Sequence, residues 1–167
     1  MSAAAAGQET HDAAPAAWGE HLVSVYREIG DRAMRDLPIY HDALDVEAIG
    51  FSDYQGMTIG ILITPWFMNV VTPSAEGSAG SSVDIVLPAG SFAFTIGEIA
   101  GVGRIASCSL FSPMFEFEDM AAARAAAEAA IAALMTPGDE PSAARATRSH
   151  AIDRRALLRG ALSESGA

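Results

Sequence analysis

Two apolar blocks, each interrupted by a proline, restrict the folds open to this chain more than any other feature. The first is Thr64–Val71 (TPWFMNVV) and the second is Cys108–Phe117 (CSLFSPMFEF). They hold five of the twelve aromatic residues, so much of the aromatic surface lies in backbone that cannot be an uninterrupted helix or strand. Such a cluster either closes a corner of the core or forms a surface that binds a partner. The residues alone support these two interpretations equally.

The composition is that of one acidic globular domain. Half of the 167 residues are apolar and only 19% are charged, which is typical of a chain with a sizeable core. The formal net charge is −11, which argues against nucleic acid and anionic membranes as partners. The N-terminus lacks the pattern of a signal peptide, and the longest apolar run, residues 59–71, is too short to cross a bilayer. The expected compartment is the cytoplasm.

The spacing of apolar residues predicts an α+β fold in a single domain. A helical stripe predicts a first helix over residues 16–36, and an alanine-rich run predicts a second over 119–135. Between them we expect a mainly antiparallel sheet of about five strands, packed against both helices. The predicted strands are 46–51, 57–64, 83–87, 91–96 and 104–110.

The two ends of the chain are predicted to be flexible. We expect a disordered segment over residues 1–15, the α+β domain over 16–136 and a loose tail over 137–167. Within the tail, Asp153–Arg159 (DRRALLR) has the shape of a twin-arginine export motif but lies far from the N-terminus, where such motifs occur. The simpler interpretation is a short basic helix at 152–159. A further hypothesis places this basic segment over an acidic groove of the same chain.

No residue pattern indicates catalysis or metal binding. Cys108 is the single cysteine, and the four histidines are scattered without ligand spacing. The glycines of residues 101–103 precede a strand rather than a helix, so they do not form a dinucleotide site. We predict no enzyme activity, no catalytic residue, no metal and no cofactor. The alternative is a small ligand-binding or thiol enzyme domain centred on Cys108, although a lone cysteine in a strand is more often a core residue.

Several strings of the sequence resemble the HybE/HupJ family of [NiFe]-hydrogenase assembly chaperones. They are Val46–Phe51 (VEAIGF), Gly60–Asn69 (GILITPWFMN), Leu87–Gly90 (LPAG) and the second block with the alanine-rich helix after it. The C-terminal Arg154–Gly160 (RRALLRG) is also similar to members of the group. The resemblance covers about residues 17–135 and this part of the tail. The strings TPWFMN and CSLFSPMF are long and unusual enough to be specific.

The resemblance implies a non-enzymatic accessory protein of hydrogenase maturation. Family members are expected to bind a precursor small or large hydrogenase subunit in the cytoplasm before twin-arginine export, and some relatives act beside rubredoxin-like partners. A twin-arginine signal peptide is basic and apolar, so it would complement an acid-rimmed aromatic groove. We expect the large apolar side chains of both blocks to converge on that groove. The residues predicted to bind the partner are Trp66, Phe67, Met68, Asn69, Leu110, Phe111, Met114, Phe115, Glu116 and Glu118.

Overall fold

A computed structural model of the chain describes residues 3–74 and 77–137, with side chains from residue 14 onward. It contains a six-stranded antiparallel sheet with the strand order β1-β2-β3-β6-β5-β4. The strands are β1 (Glu47–Tyr54), β2 (Met57–Ile63), β3 (Met68–Pro73), β4 (Ser82–Leu87), β5 (Gly90–Ile99) and β6 (Gly103–Phe111). The helices are α1 (Ala3–Ile29), which continues into a π-helical turn at Gly30–Met34, and α2 (Met120–Leu134). The predicted α+β class is confirmed.

The two helices cover opposite faces of the sheet. Successive residues of a strand point to opposite faces, and β2 shows the result: Ile61 and Ile63 belong to the core on the α2 side, whereas Leu62 belongs to the core on the α1 side. All three side chains are fully buried. A strand that is apolar on both faces is expected inside a covered sheet, and β2 lies between β1 and β3, although it is next to the edge strand β1 rather than at the centre.

Helix α2 packs closely on the sheet because its buried face consists mainly of alanine. Four of its five buried residues are alanine, and Leu134 is the fifth. The Asp119 carboxylate caps the helix by accepting a hydrogen bond from the Ala122 amide at 2.9 Å. The Arg124 guanidinium contacts the Glu47 carboxylate of β1 at 3.0 Å. The predicted start near Asp119 and the end before Pro137 agree with the structure.

Helix α1 differs from its prediction in length. It extends back to Ala3, so Pro15 lies inside the helix rather than in its first turn. The described segment of the helix packs Leu22 and Tyr26 against the α1-side core. None of the described helices is long and apolar enough to cross a membrane. The predicted helix at 152–159 lies outside the described residues, and the division of the chain into 1–15, 16–136 and 137–167 stays a prediction.

The sheet contains one strand more than the sequence predicts. The additional strand is β3, whose first four residues, Met68–Val71, belong to the first block. The turn between β1 and β2 is also tighter than the predicted Ser52–Gly56. It consists of Gln55 and Gly56 with φ angles of 51° and 81°, the left-handed pair typical of a two-residue hairpin.

Candidate functional site

The two blocks meet at one end of the sheet. The first block leads into β3 and the second continues from β6, and these neighbouring strands pair Met68 with Phe111. The chain reverses around Thr64–Phe67 on one side and around Ser112–Phe117 on the other. The blocks therefore form two adjacent corners of one structure, as their similar composition suggests.

The first block is closed by its own threonine. The Thr64 side chain is fully buried, and its oxygen Oγ1 accepts hydrogen bonds from the Trp66 and Phe67 amides at 3.2 and 3.0 Å. The Thr64 amide donates to the Phe67 carbonyl at 2.8 Å. This turn directs the Trp66 ring into the α1-side core, where its centroid lies 6.4 Å from that of Tyr26 and 6.2 Å from that of Tyr40.

The second block buries most of its apolar residues but exposes one ring. Phe111 and Phe117 pack edge to face with centroids 4.9 Å apart, and Met114 is fully buried beside them in the α2-side core. Phe115, between Met114 and Phe117, is 54% exposed. Phe115 is thus the one large apolar side chain of the two blocks that is exposed, which makes this corner the candidate interaction site.

His41 connects both blocks. Its ring nitrogen Nε2 lies 2.6 Å from the Phe117 carbonyl oxygen and donates to it, since a carbonyl only accepts. Its ring also lies beside Phe115, with centroids 5.5 Å apart. Its backbone amide donates to the Pro65 carbonyl of the first block at 2.9 Å. One residue thus fixes the second block through its side chain and the first through its backbone.

His41 and Phe115 are in contact, and the residues that flank each of them in sequence combine exposed apolar side chains with carboxylates. Leu37 and Ile39 are 44% and 41% exposed on the turn that leads into His41, and the Phe115 ring packs beside the imidazole. We call this the acid–apolar surface, and its members are Asp36, Leu37, Ile39, His41, Asp42, Phe115, Glu116 and Glu118.

Within the described part of the chain, no arginine forms an ion pair with a carboxylate of the acid–apolar surface. Among the residues that the structure describes, the ion pairs join Arg27 to Asp45, Arg32 to Glu28, Arg35 to Asp31 and Arg124 to Glu47. None of them involves Asp36, Asp42, Glu116 or Glu118, and all four residues are exposed. The surface therefore carries a local negative charge next to apolar side chains.

A crevice of about 230 Å³ lies beside Trp66, but it is a weaker candidate. Its charged residues are already matched, because Arg27 pairs with Asp45 at 3.4 Å and Arg35 pairs with Asp31. The Asp31 carboxylate raises the pKa of the Arg35 guanidinium above its ordinary value. The described part of the chain contains no group of His, Cys, Asp and Glu residues suited to hold a metal ion.

The ten predicted partner-binding residues do not share one surface. Trp66 lies in the α1-side core, whereas Met68, Leu110, Phe111 and Met114 lie in the α2-side core. These five are between 0% and 8% exposed, Phe67 and Asn69 are half-buried, and Phe115, Glu116 and Glu118 are exposed. The expected convergence was wrong because the turn at Thr64–Phe67 and the pleat of β3 send neighbouring side chains to opposite faces. A partner role for any member stays a prediction.

Sequence reasoning missed the segment between α1 and β1 that completes the surface. Its signal was present: Leu37 and Ile39 flank Pro38 in a non-helical stretch bounded by Asp36 and Asp42. This signal does not decide exposure, because Leu44 lies between Asp42 and Asp45 in the same stretch and is buried in the α2-side core. Cys108, the centre of the alternative enzyme interpretation, is 7% exposed in the α2-side core, which favours the structural interpretation of this thiol.

Comparison with known proteins identifies the family. The family model described as "[NiFe]-hydrogenase assembly, chaperone, HybE" matches residues 17–160. The hydrogenase expression/formation protein HupJ of Bradyrhizobium diazoefficiens is 57% identical over 158 residues, which cover 92% of this chain and 94% of that protein. The probable rubredoxin HupJ of Rhodobacter capsulatus is 36% identical over 103 residues, which cover 58% of this chain and 37% of that protein.

A solved structure agrees with the family assignment. The solution structure of HybE from Escherichia coli is similar to this chain with a TM-score of 0.56 and 27% sequence identity. The similarity covers 74% of this chain and 83% of that one. The resemblance seen in the two blocks is thereby confirmed, and the chain belongs to the HybE family of [NiFe]-hydrogenase assembly chaperones.

Proposed function

We propose that this protein binds a precursor hydrogenase subunit in the cytoplasm through the acid–apolar surface, without catalysing a reaction. The observation that carries the proposal is the exposed ring of Phe115, followed in sequence by the exposed Glu116 and Glu118, with which no described arginine pairs. Leu37 and Ile39 are also exposed, on the turn that leads into His41. The proposed client segment is the twin-arginine signal peptide region of a precursor, which is basic and apolar.

The chemistry of the two surfaces is complementary. Arginines of the client would approach the four carboxylates, and long-range attraction to a body of negative charge raises the association rate. A guanidinium group also stacks favourably on an exposed aromatic face such as that of Phe115. Apolar residues of the client would cover Leu37, Ile39 and Phe115, which water otherwise surrounds.

The proposal includes both hydrogenase subunits as possible clients and one further partner. The small subunit, the large subunit or both can be clients, and binding to each precursor decides between them. A rubredoxin-like protein is a proposed second partner, since the relative from Rhodobacter capsulatus carries rubredoxin in its name. This chain has a single cysteine and so lacks the cysteine pairs of a rubredoxin.

Binding of purified precursor to surface variants tests the proposal. We expect Phe115→Ala, and separately the pair Glu116→Gln with Glu118→Gln, to weaken binding about tenfold or more, because central aromatic and charged contacts dominate interfaces. The double amide variant should also reduce the salt dependence of binding. The isolated signal peptide and the precursor without it identify the bound segment.

Val86→Ala is the matched control for Phe115→Ala. Val86 is 70% exposed on the edge strand β4, outside the acid–apolar surface. Its truncation should leave the affinity unchanged. If folded Phe115→Ala and the double amide variant bind precursor as tightly as the parent chain, the surface is not the client site.

A further inference from the structure

We propose that the basic segment Ile152–Arg159 of this chain occupies the acid–apolar surface in the absence of client, and that the client displaces it. This inference rests on the proposed function for the identity of the surface and adds a regulatory contact to it. The occupant is a defined part of the same polypeptide, so each molecule would carry its own competitor.

The segment has the chemistry that the surface requires. Its sequence, IDRRALLR, contains three arginines against one aspartate, together with Ile152, Leu157 and Leu158. The surface offers four carboxylates without ion pairs among the described residues and three exposed apolar side chains. Opposite charge and matching apolar content are therefore present on both sides.

The other exposed apolar area of the described chain fits the segment less well. Val83 and Val86 are 41% and 70% exposed on β4, and Asp84 is the one carboxylate within this strand. The distribution of charge along the chain also favours the acid–apolar surface as the binding place of the segment. Residues 136–167 carry five arginines and four acidic residues, while the rest of the chain carries five arginines and seventeen.

The connection between the domain and the segment is long enough. Glu118 lies at the start of α2, and the described chain leaves the domain just beyond the other end of this 15-residue helix, which is about 22 Å long. The fourteen residues 138–151 can extend to about 46 Å, twice that distance. A tethered segment of this reach has an effective concentration on the order of millimolar, so even weak binding would occupy the surface.

The segment is also part of the pattern that defines the family. The match to the family model ends at residue 160, one position after Arg159. The model thus extends through the basic segment, well past the end of α2 at Leu134.

A first experiment needs no client. Backbone amide chemical shifts of the full chain are compared with those of Arg154→Glu with Arg155→Glu. We expect shift changes at residues 36–42 and 115–119 and none at 82–87. Changes confined to the neighbourhood of the substitutions, or equal changes at β4, would overturn the inference.

A second experiment measures competition in the full chain. We expect Arg154→Glu with Arg155→Glu to bind a signal-peptide probe about threefold or more tightly, because the tethered competitor is lost. Arg145→Glu with Arg148→Glu is the control, since it changes the net charge equally outside the segment. Equal affinity changes in both variants would mean that only net charge acts, and the inference would fail.

The two proposals fail in different ways. Shift changes at residues 36–42 and 115–119 without any binding of precursor would retain the contact of the segment and reject the client site. Precursor binding that depends on Phe115, together with unchanged amide shifts at those residues, would retain the client site and reject the contact.

Discussion

The two blocks have similar compositions but are held in place differently. The first is closed locally, because Thr64 bonds the amides two and three residues later. The second depends on His41, which is 76 residues away from Phe117 in sequence. The locally closed block buries its tryptophan, and the block fixed from a distance exposes Phe115. Similar aromatic content therefore does not decide whether a block exposes a ring. The residues that cover each ring decide its exposure.

The largest expected effects separate buried from exposed rings. Trp66→Ala and Phe111→Ala should each lower the free energy of unfolding by about 3–5 kcal/mol, because each leaves a cavity in the core. Phe115→Ala should change it by less than about 1 kcal/mol. Chemical denaturation measures all three. A loss of several kcal/mol for Phe115→Ala would place its ring in the core and remove the distinction between the blocks.

A smaller effect is expected from the hydroxyl group of the first block. Thr64→Val should lower the free energy of unfolding by about 1–3 kcal/mol, because two amides at the turn lose their acceptor. Thr64→Ser retains the oxygen and serves as the control. If urea denaturation finds the valine variant as stable as the serine variant, the turn does not depend on this side chain.

Loss of the His41 side chain should loosen the second block selectively. We expect His41→Ala to lower the free energy of unfolding by about 1–2 kcal/mol through one hydrogen bond and one ring contact. Amide hydrogen exchange should accelerate at residues 114–118 and not at 64–67. Thr64→Val should give the opposite pattern. Exchange that rises equally in both blocks would contradict the claim that Thr64 holds the first block and His41 the second.

The smallest effect concerns Tyr26, which packs against Trp66 and Phe67. Burial raises the pKa of its phenol above 10.0 in the folded state, so the folded chain resists an ionisation that the unfolded chain undergoes. The contribution of this phenol to the free energy of unfolding is fully present below about pH 10. It declines above that pH, by at most about 1.4 kcal/mol per pH unit. Tyr26→Phe should make the denaturation midpoint less dependent on pH between 9 and 11. An unchanged profile would indicate an accessible phenol.

Local signals explain which elements could be predicted from the sequence. Asp119 and Pro137 bound α2, and alternation marks β5, because capping and side-chain periodicity act within a few residues. Strand β3 was missed because Pro65 and Asn69 break the apolar pattern in which it begins. The family was recognisable from whole strings of residues rather than from their physics.

The site was harder to predict because it depends on distant contacts. Nothing in the sequence distinguishes Met114 from Phe115, its exposed neighbour, since both are large and apolar. They differ in exposure because the folded chain packs Met114 into the core and bonds the neighbouring Phe117 to His41. Long-range pairing of this kind leaves no periodic signal in the chain.

The hydrogen bond between His41 and Phe117 affects the stage of folding at which the acid–apolar surface forms. Its contact with Phe117 joins the segment before β1 to the segment after β6, so all six strands lie between the bonded residues. Closing so long a loop is entropically unfavourable until the intervening sheet has assembled. We therefore expect a nascent or partly folded copy to lack the acid–apolar surface and, with it, the proposed client contact. Completion of the sheet would then be the step at which the proposed binding surface forms.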